Sequence, residues 1–139
     1  MATRKEVTGF GMPWEDVYGY AQAVKVDDTI YVSGQLSHDA EGSMVGATPP
    51  DMEAQMRQTY VNAKKVLAKF GATLDDVVEE VIYVTDMDTA FAAAGPVRKE
   101  AYGSPRPAVA RTAGSVMRRD MPLSLVLMRR AFPRGDPQS

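Results

Sequence analysis

Along this chain the spacing of apolar residues changes from every second position near the N-terminus to every three or four in the middle, and becomes almost continuous near the end. Ala21-Gln22-Ala23-Val24-Lys25-Val26 alternates small or apolar residues with polar ones, as a strand with one wet face does. Asp27-Asp28 supplies a tight turn. Ile30-Tyr31-Val32-Ser33, β-branched and aromatic, then returns as the more buried strand of a hairpin and stops at Gly34. Because glycine permits positive φ and close approach, a strand ending in Ser33-Gly34 can offer backbone N–H groups beside a hydroxyl; it can also simply end there.

From Met52 the period becomes helical. Met52, Met56, Tyr60, Ala63, Leu67 and Phe70 line one stripe, with Arg57, Lys64, Lys65 and Lys69 mostly elsewhere around the axis. Thr48-Pro49-Pro50-Asp51 reads as the start, with Thr48 as N-cap, Pro49 in the first turn and Asp51 complementing the dipole; Gly71 reads as the stop. Within this helix Asn62 reads as a polar side chain that bonds a neighbouring loop. Thr73 to Asp76 predicts a capped single turn and Val77 to Thr85 a strand, in which Glu79 and Glu80 face opposite sides and cannot form a catalytic pair. A second helix is predicted from the N-cap candidate Asp88 to Gly103, kinked or split at Gly95-Pro96. Two strands follow, roughly Ala108 to Val116 and Leu123 to Ala131, around the turn-like Arg119-Asp120-Met121-Pro122. The second is nearly all apolar, as a strand covered on both faces is.

The remaining stretches are less periodic. Met1 to Trp14 predicts a short edge strand at most, and Trp14, the sole tryptophan, reads as cover for a core or an interface. His38 to Pro50 is a loop by composition, and His38, the sole histidine, reads as solvated, with no assigned role. The polar tail 133–139 is expected to be disordered, leaving one domain over 1–132. Together the elements give an α+β fold, a mixed sheet with two helices on one face. If the strands are also apolar on the other face, something outside this short chain must cover it, and a homo-oligomer is the simplest solution.

Composition narrows the chemistry. No cysteine is present, which excludes disulfides, thiolate catalysis and Cys-type zinc sites; a single histidine excludes a His-His metal pair. Sixteen Lys and Arg against eighteen Asp and Glu make no global field to recruit nucleic acid. No apolar run approaches the ~20 residues of a membrane span and no signal-peptide core follows Lys5, so a soluble cytoplasmic protein is expected, without metal, cofactor, nucleic-acid partner or membrane contact.

Tyr20-Ala21-Gln22-Ala23-Val24 followed by Tyr31-Val32-Ser33-Gly34-Gln35 resembles the paired N-terminal signature of the Rid family, the reactive intermediate deaminases also called YjgF/YER057c/UK114. Gln55, Gln58, Asn62 and Leu67 fall at the family's helix positions, and Asp76-Val77-Val78 with Val81 to Met87 resembles its next strand and exit. The similarity covers Tyr20 to Tyr102 well and the last third poorly; Gly19 stands before Tyr20 where the family usually has a Gly-Pro pair. It implies a chorismate mutase-like fold, a six-stranded mixed sheet with two helices on one face, assembled as a homotrimeric barrel with sites in clefts between subunits.

The resemblance also implies a reaction, the hydrolysis of a small 2-imino or enamine carboxylic acid to a 2-keto acid and ammonia. Such a substrate needs a carboxylate clamp, which the bidentate fork of arginine suits, and an oriented water to attack an already electrophilic carbon. Tyr20, Ser33 and Gly34 match the family's site. The clamp matches less directly: aligned on Pro107-Ala108, Val109 replaces the arginine, whereas shifted by two residues Val109-Ala110-Arg111-Thr112 resembles the family's Pro-Ala-Arg-Thr. Arg111 is therefore the expected anchor and, with Tyr20, the expected catalytic pair; Arg106 is the alternative anchor. The family's final-strand glutamate has no counterpart, since Ser124, Val126 and Met128 stand there. A trimer that binds a small carboxylate or metabolite without turnover is the competing reading. A ribonuclease-type or chaperone-like activity, described for some Rid members, has no support in the composition.

Overall fold

A computed structural model describes residues 4–115 and 124–131, with Ser115 and the last segment as backbone. Six strands and three helices follow in the order β1 (Lys5–Thr8), α1 (Pro13–Tyr18), β2 (Ala23–Val26), β3 (Thr29–Val32), α2 (Met52–Ala68), a single 3-10 turn (Leu74–Asp76), β4 (Val77–Val84), α3 (Met87–Tyr102), β5 (Ala110–Ser115) and β6 (Ser124–Ala131). The strands form one sheet, β1-β2-β3-β6-β4-β5, antiparallel except where β4 meets β5.

The hairpin forms where the alternation places it. Val26 pairs with Thr29 around the two-residue turn, and Asp27 takes φ 53°, a left-handed conformation that a short polar side chain tolerates better than a branched one. Ile30 and Val32 turn inward while Tyr31 between them faces out. Against this sheet α2 sets the predicted stripe, burying Met56, Tyr60, Ala63 and Leu67, and α3 adds Ala94 and Val97.

Several local expectations are corrected. The cap of α2 is Asp51, whose carboxylate accepts from the Ala54 N–H, so Thr48 and a cis Pro49 lie outside the helix. The cap of α3 is Asp86, accepting from the Thr89 N–H, rather than Asp88. That helix runs unbroken through Gly95-Pro96, because both sit on its exposed side while Ala93, Ala94 and Val97 hold the other to the sheet. A third helix, α1, stands where only irregular chain was expected; it buries none of its residues, and so carries no apolar stripe to betray it. His38 is buried, edge-on to the rings of Phe10 and Trp14. The turn 119–122 and the tail 133–139 lie outside the described residues.

The two long helices cover one side of the sheet. On the opposite side Val7, Val24 and Tyr31 stand in one register row, with Val7 68% and Tyr31 48% exposed. In the described residues nothing covers this apolar row.

Candidate functional site

The hairpin places three of the expected residues together. Gly19 ends α1 in the left-handed conformation, and the next residue, Tyr20, leads into β2 with its N–H on the Glu15 carbonyl. Ser33, just beyond β3, donates its hydroxyl to the Ala21 carbonyl at 2.7 Å and its N–H to the Gln22 carbonyl, which pins the exit of the hairpin beside Tyr20. Ser33 and Gly34 are half-buried and Tyr20 is 38% exposed. Gly34 is not among the described glycines with positive φ, so its value here is the absence of a side chain rather than an unusual backbone.

A polar network supports this corner. Gln22 donates to Glu15 and its own carbonyl oxygen accepts from Gln35, which also donates to the Ser33 carbonyl. Burial opposes ionisation of Glu15, but N–H donors from Phe10, Gln22 and Met12 outweigh it and hold the carboxyl below its usual value. Burial, with the nearby Glu15 charge, pushes the Tyr20 phenol above its usual value, so it remains a proton donor at neutral pH. Asn62 ties α2 to the loop that leads into it from β3, its amide donating to the Leu36 and His38 carbonyls, as its sequence reading anticipated.

Arg111 is elsewhere in the chain. It is exposed on β5, the edge of the sheet, with its guanidinium 5.9 Å from the centre of the Phe91 ring and no acidic partner among the described residues. Two strands, β6 and β4, separate β5 from β3. At ~4.8 Å per strand spacing, Arg111 is ~14 Å from the line of Ser33. One copy of the chain therefore does not bring the expected anchor to the expected pocket. Arg106 is exposed in the loop before β5, where its N–H reaches the Ser104 hydroxyl.

A cluster that sequence reasoning missed lies between the helices and the sheet. Glu80 is 0% exposed, and its carboxylate accepts from the Tyr60 and Tyr102 hydroxyls and from the Arg98 Nε–H. The guanidinium of Arg98 also lies 5.5 Å from the centre of the Tyr102 ring. Burial, and then the Glu80 charge, push both phenols well above their usual value. In the sequence Tyr60 belongs to the apolar stripe of the first long helix, Tyr102 falls within the second predicted helix, and Glu80 is one of two alternating carboxylates. The available signal was an acid on the covered face of a strand, which requires a cation from the helix above it. Among the described residues no three acids or histidines are placed to hold a metal ion, and no helix is long and apolar enough to cross a membrane.

A six-stranded mixed sheet with two long helices on one face, a hairpin ending in Ser-Gly and an exposed arginine on the parallel edge define an α+β class with an open sheet face. The chain matches the family model for Endoribonuclease L-PSP over residues 14–124, and it belongs to that family, the YjgF/YER057c/UK114 or Rid proteins. It is 37% identical over 90 residues to a RutC family protein of Pyrococcus abyssi, a match covering 64% of this chain and 68% of that one. It is also 37% identical over 89 residues to the 2-iminobutanoate/2-iminopropanoate deaminase of Dermatophagoides farinae, covering 64% and 67%. Another curated relative is matched over only 52% of its own length. The crystal structure of a YjgF/YER057c/UK114 family member from Mycobacterium tuberculosis superposes with a TM-score of 0.73 at 26% identity, covering 93% of this chain and 99% of that one.

Proposed function

We propose that this protein is a homotrimer that hydrolyses small 2-imino or enamine carboxylic acids to 2-keto acids and ammonia, in clefts formed between subunits. The observation that carries the reading is the separation of Arg111 from Tyr20 and Ser33-Gly34 on one sheet, together with an open apolar face that a neighbouring copy would cover. A second chain can bring its hairpin exit to the first chain's edge strand. Arg111 is then the carboxylate anchor, using the planar fork that a lysine lacks.

The reaction asks little beyond this. Water oxygen bonds to the protonated imine carbon, the C–N bond breaks, and the protons of the water pass to the departing nitrogen, giving a keto acid and ammonium. Held by its carboxylate, the substrate presents one face to an oriented water, and orientation supplies much of the acceleration. The Ser33 hydroxyl already donates to the Ala21 carbonyl, and the Ser33 N–H and carbonyl are held by Gln22 and Gln35, so Ser33 contributes the acceptor capacity of its hydroxyl oxygen rather than a nucleophile. Tyr20, kept protonated, is the donor beside it. The relative named 2-iminobutanoate/2-iminopropanoate deaminase supports this substrate class.

The absence of a final-strand glutamate, with Ser124, Val126 and Met128 in that strand, favours a second reading, a trimer that binds the same carboxylates without turnover. Ammonia release from 2-iminobutanoate generated in situ separates the two. The enzyme reading expects a rate above the uncatalysed one that Arg111→Ala abolishes; a wild-type rate equal to background replaces it with the binding protein.

A further inference from the structure

The parallel ladder between β4 and β5 sets Glu80 directly opposite Arg111. Partners in this ladder share a face: a Cβ added at Gly114 would lie 3.7 Å from the ring of its partner Tyr83. Arg111 therefore projects on the helix-covered side, beside the one buried acid of this strand, at the ~5 Å separation of neighbouring strands. Opposite charges in that arrangement should pair, and a buried carboxylate exerts a strong pull on any cation within reach. Arg111 nonetheless remains on the surface, leaning along α3 to Phe91, which is itself 58% exposed.

The reason lies on α3. Seven residues beyond Phe91, Arg98 reaches the same carboxylate from the helix side and donates its Nε–H to one oxygen, while Tyr102 takes the other and Tyr60 bridges the two. With these donors in place, Glu80 has no need of a second cation. We propose that Arg98 is a positioning residue: by occupying Glu80, it leaves Arg111 free to bind an anion at the edge of the sheet. The proposal rests on the reading of Arg111 as the carboxylate anchor, but the pairing it describes can be measured without any ligand.

The test is the rate at which phenylglyoxal, an arginine-selective reagent, modifies each position of the full chain, followed by peptide mass spectrometry. In the wild type Arg111 should react rapidly and Arg98 should be protected; equal rates in the folded protein overturn the proposal. In Arg98→Gln, Arg111 should swing to Glu80 and react about tenfold more slowly, the scale of one ordinary charge-assisted hydrogen bond. Neutralising the acid as well, in Glu80→Gln/Arg98→Gln, should restore the wild-type rate at Arg111. A stabilising ion pair with no positioning role would leave Arg111 unchanged throughout, and that result in a folded Arg98→Gln also overturns the proposal. If Arg98→Gln does not fold, Arg98→Met carries the test: it keeps an apolar stem of similar length but drops the cation, so Arg111 should again react about tenfold more slowly, whereas Arg98→Lys should leave it as in the wild type. Binding of 2-oxobutanoate, followed in parallel, should weaken about tenfold in Arg98→Gln and recover in the double variant. If the wild type binds none while the reactivity pattern holds, the anchor reading fails and the pairing stands; if binding holds while reactivity is flat, the positioning role fails.

Discussion

Arg98 and Arg111 are chemically identical and flank one acid, yet one lies against a buried carboxylate and the other against solvent. Removing Arg111 should weaken binding of 2-oxobutanoate by ~2–5 kcal/mol, the range for a desolvated charged pair that loses one partner. Calorimetric titration should find Arg111→Lys little better than Arg111→Ala, and Arg106→Ala close to the wild type, since Arg106 lies in an exposed loop. The cluster around Glu80 makes a separate prediction about stability. Tyr102→Phe removes a hydroxyl that donates to a buried carboxylate at 2.8 Å and should cost ~1.5–3 kcal/mol in urea unfolding. Both phenols have an ordinary value of 10.0 and are raised on folding, so the folded state keeps protons that the unfolded chain gives up. Their contribution is complete below about pH 10 and is lost as pH rises further. The urea midpoint of the wild type should therefore fall on the alkaline side, and a Tyr60→Phe/Tyr102→Phe variant should show a flatter alkaline limb from a lower starting point.

At the scale of elements, the cap of α2 offers a direct discrimination. Asp51→Ala should destabilise by ~1 kcal/mol, whereas Thr48→Ala should stay within ~0.5 kcal/mol, as for an uncapped surface position. Equal losses at the two positions would return the helix start to Thr48. The long elements were legible because each carries a repeating signal: the hairpin in its alternation, α2 in its stripe, β4 in its Val-Ile-Tyr run. What escaped had no period to read. None of the six residues of α1 is itself buried, and their start depends on Glu15 folding back to the Phe10 and Met12 N–H groups, a contact made by local geometry rather than by hydrophobic pattern. The burial of His38 depends on Phe10 and Trp14, distant in sequence, closing over a loop that looks merely polar. The same limit applied to the site: Tyr20, Ser33 and Gly34 lie in a continuous motif, whereas Glu80, Arg98, Tyr60 and Tyr102 meet only once α2 and α3 have packed on β4.

At the scale of the whole molecule, the account depends on a second chain. The open row of Val7, Val24 and Tyr31 should be covered in solution, and light scattering in dilute neutral buffer should give three times the 15.1 kDa chain mass. A stable monomer at micromolar concentration would remove the intersubunit cleft. The measurement closest to the central claim is complementation between two defective chains, Tyr20→Ala and Arg111→Ala, each a trimer with little or no activity on 2-iminobutanoate by itself. Co-refolded in equal amounts they should form mixed trimers. If each site takes Tyr20 from one subunit and Arg111 from the next, about one site in four will receive both intact residues, and ammonia release should recover to about a quarter of the wild-type rate. Mixed trimers that form, as mass spectrometry would register, yet stay as inactive as their parents would contradict a site shared between subunits.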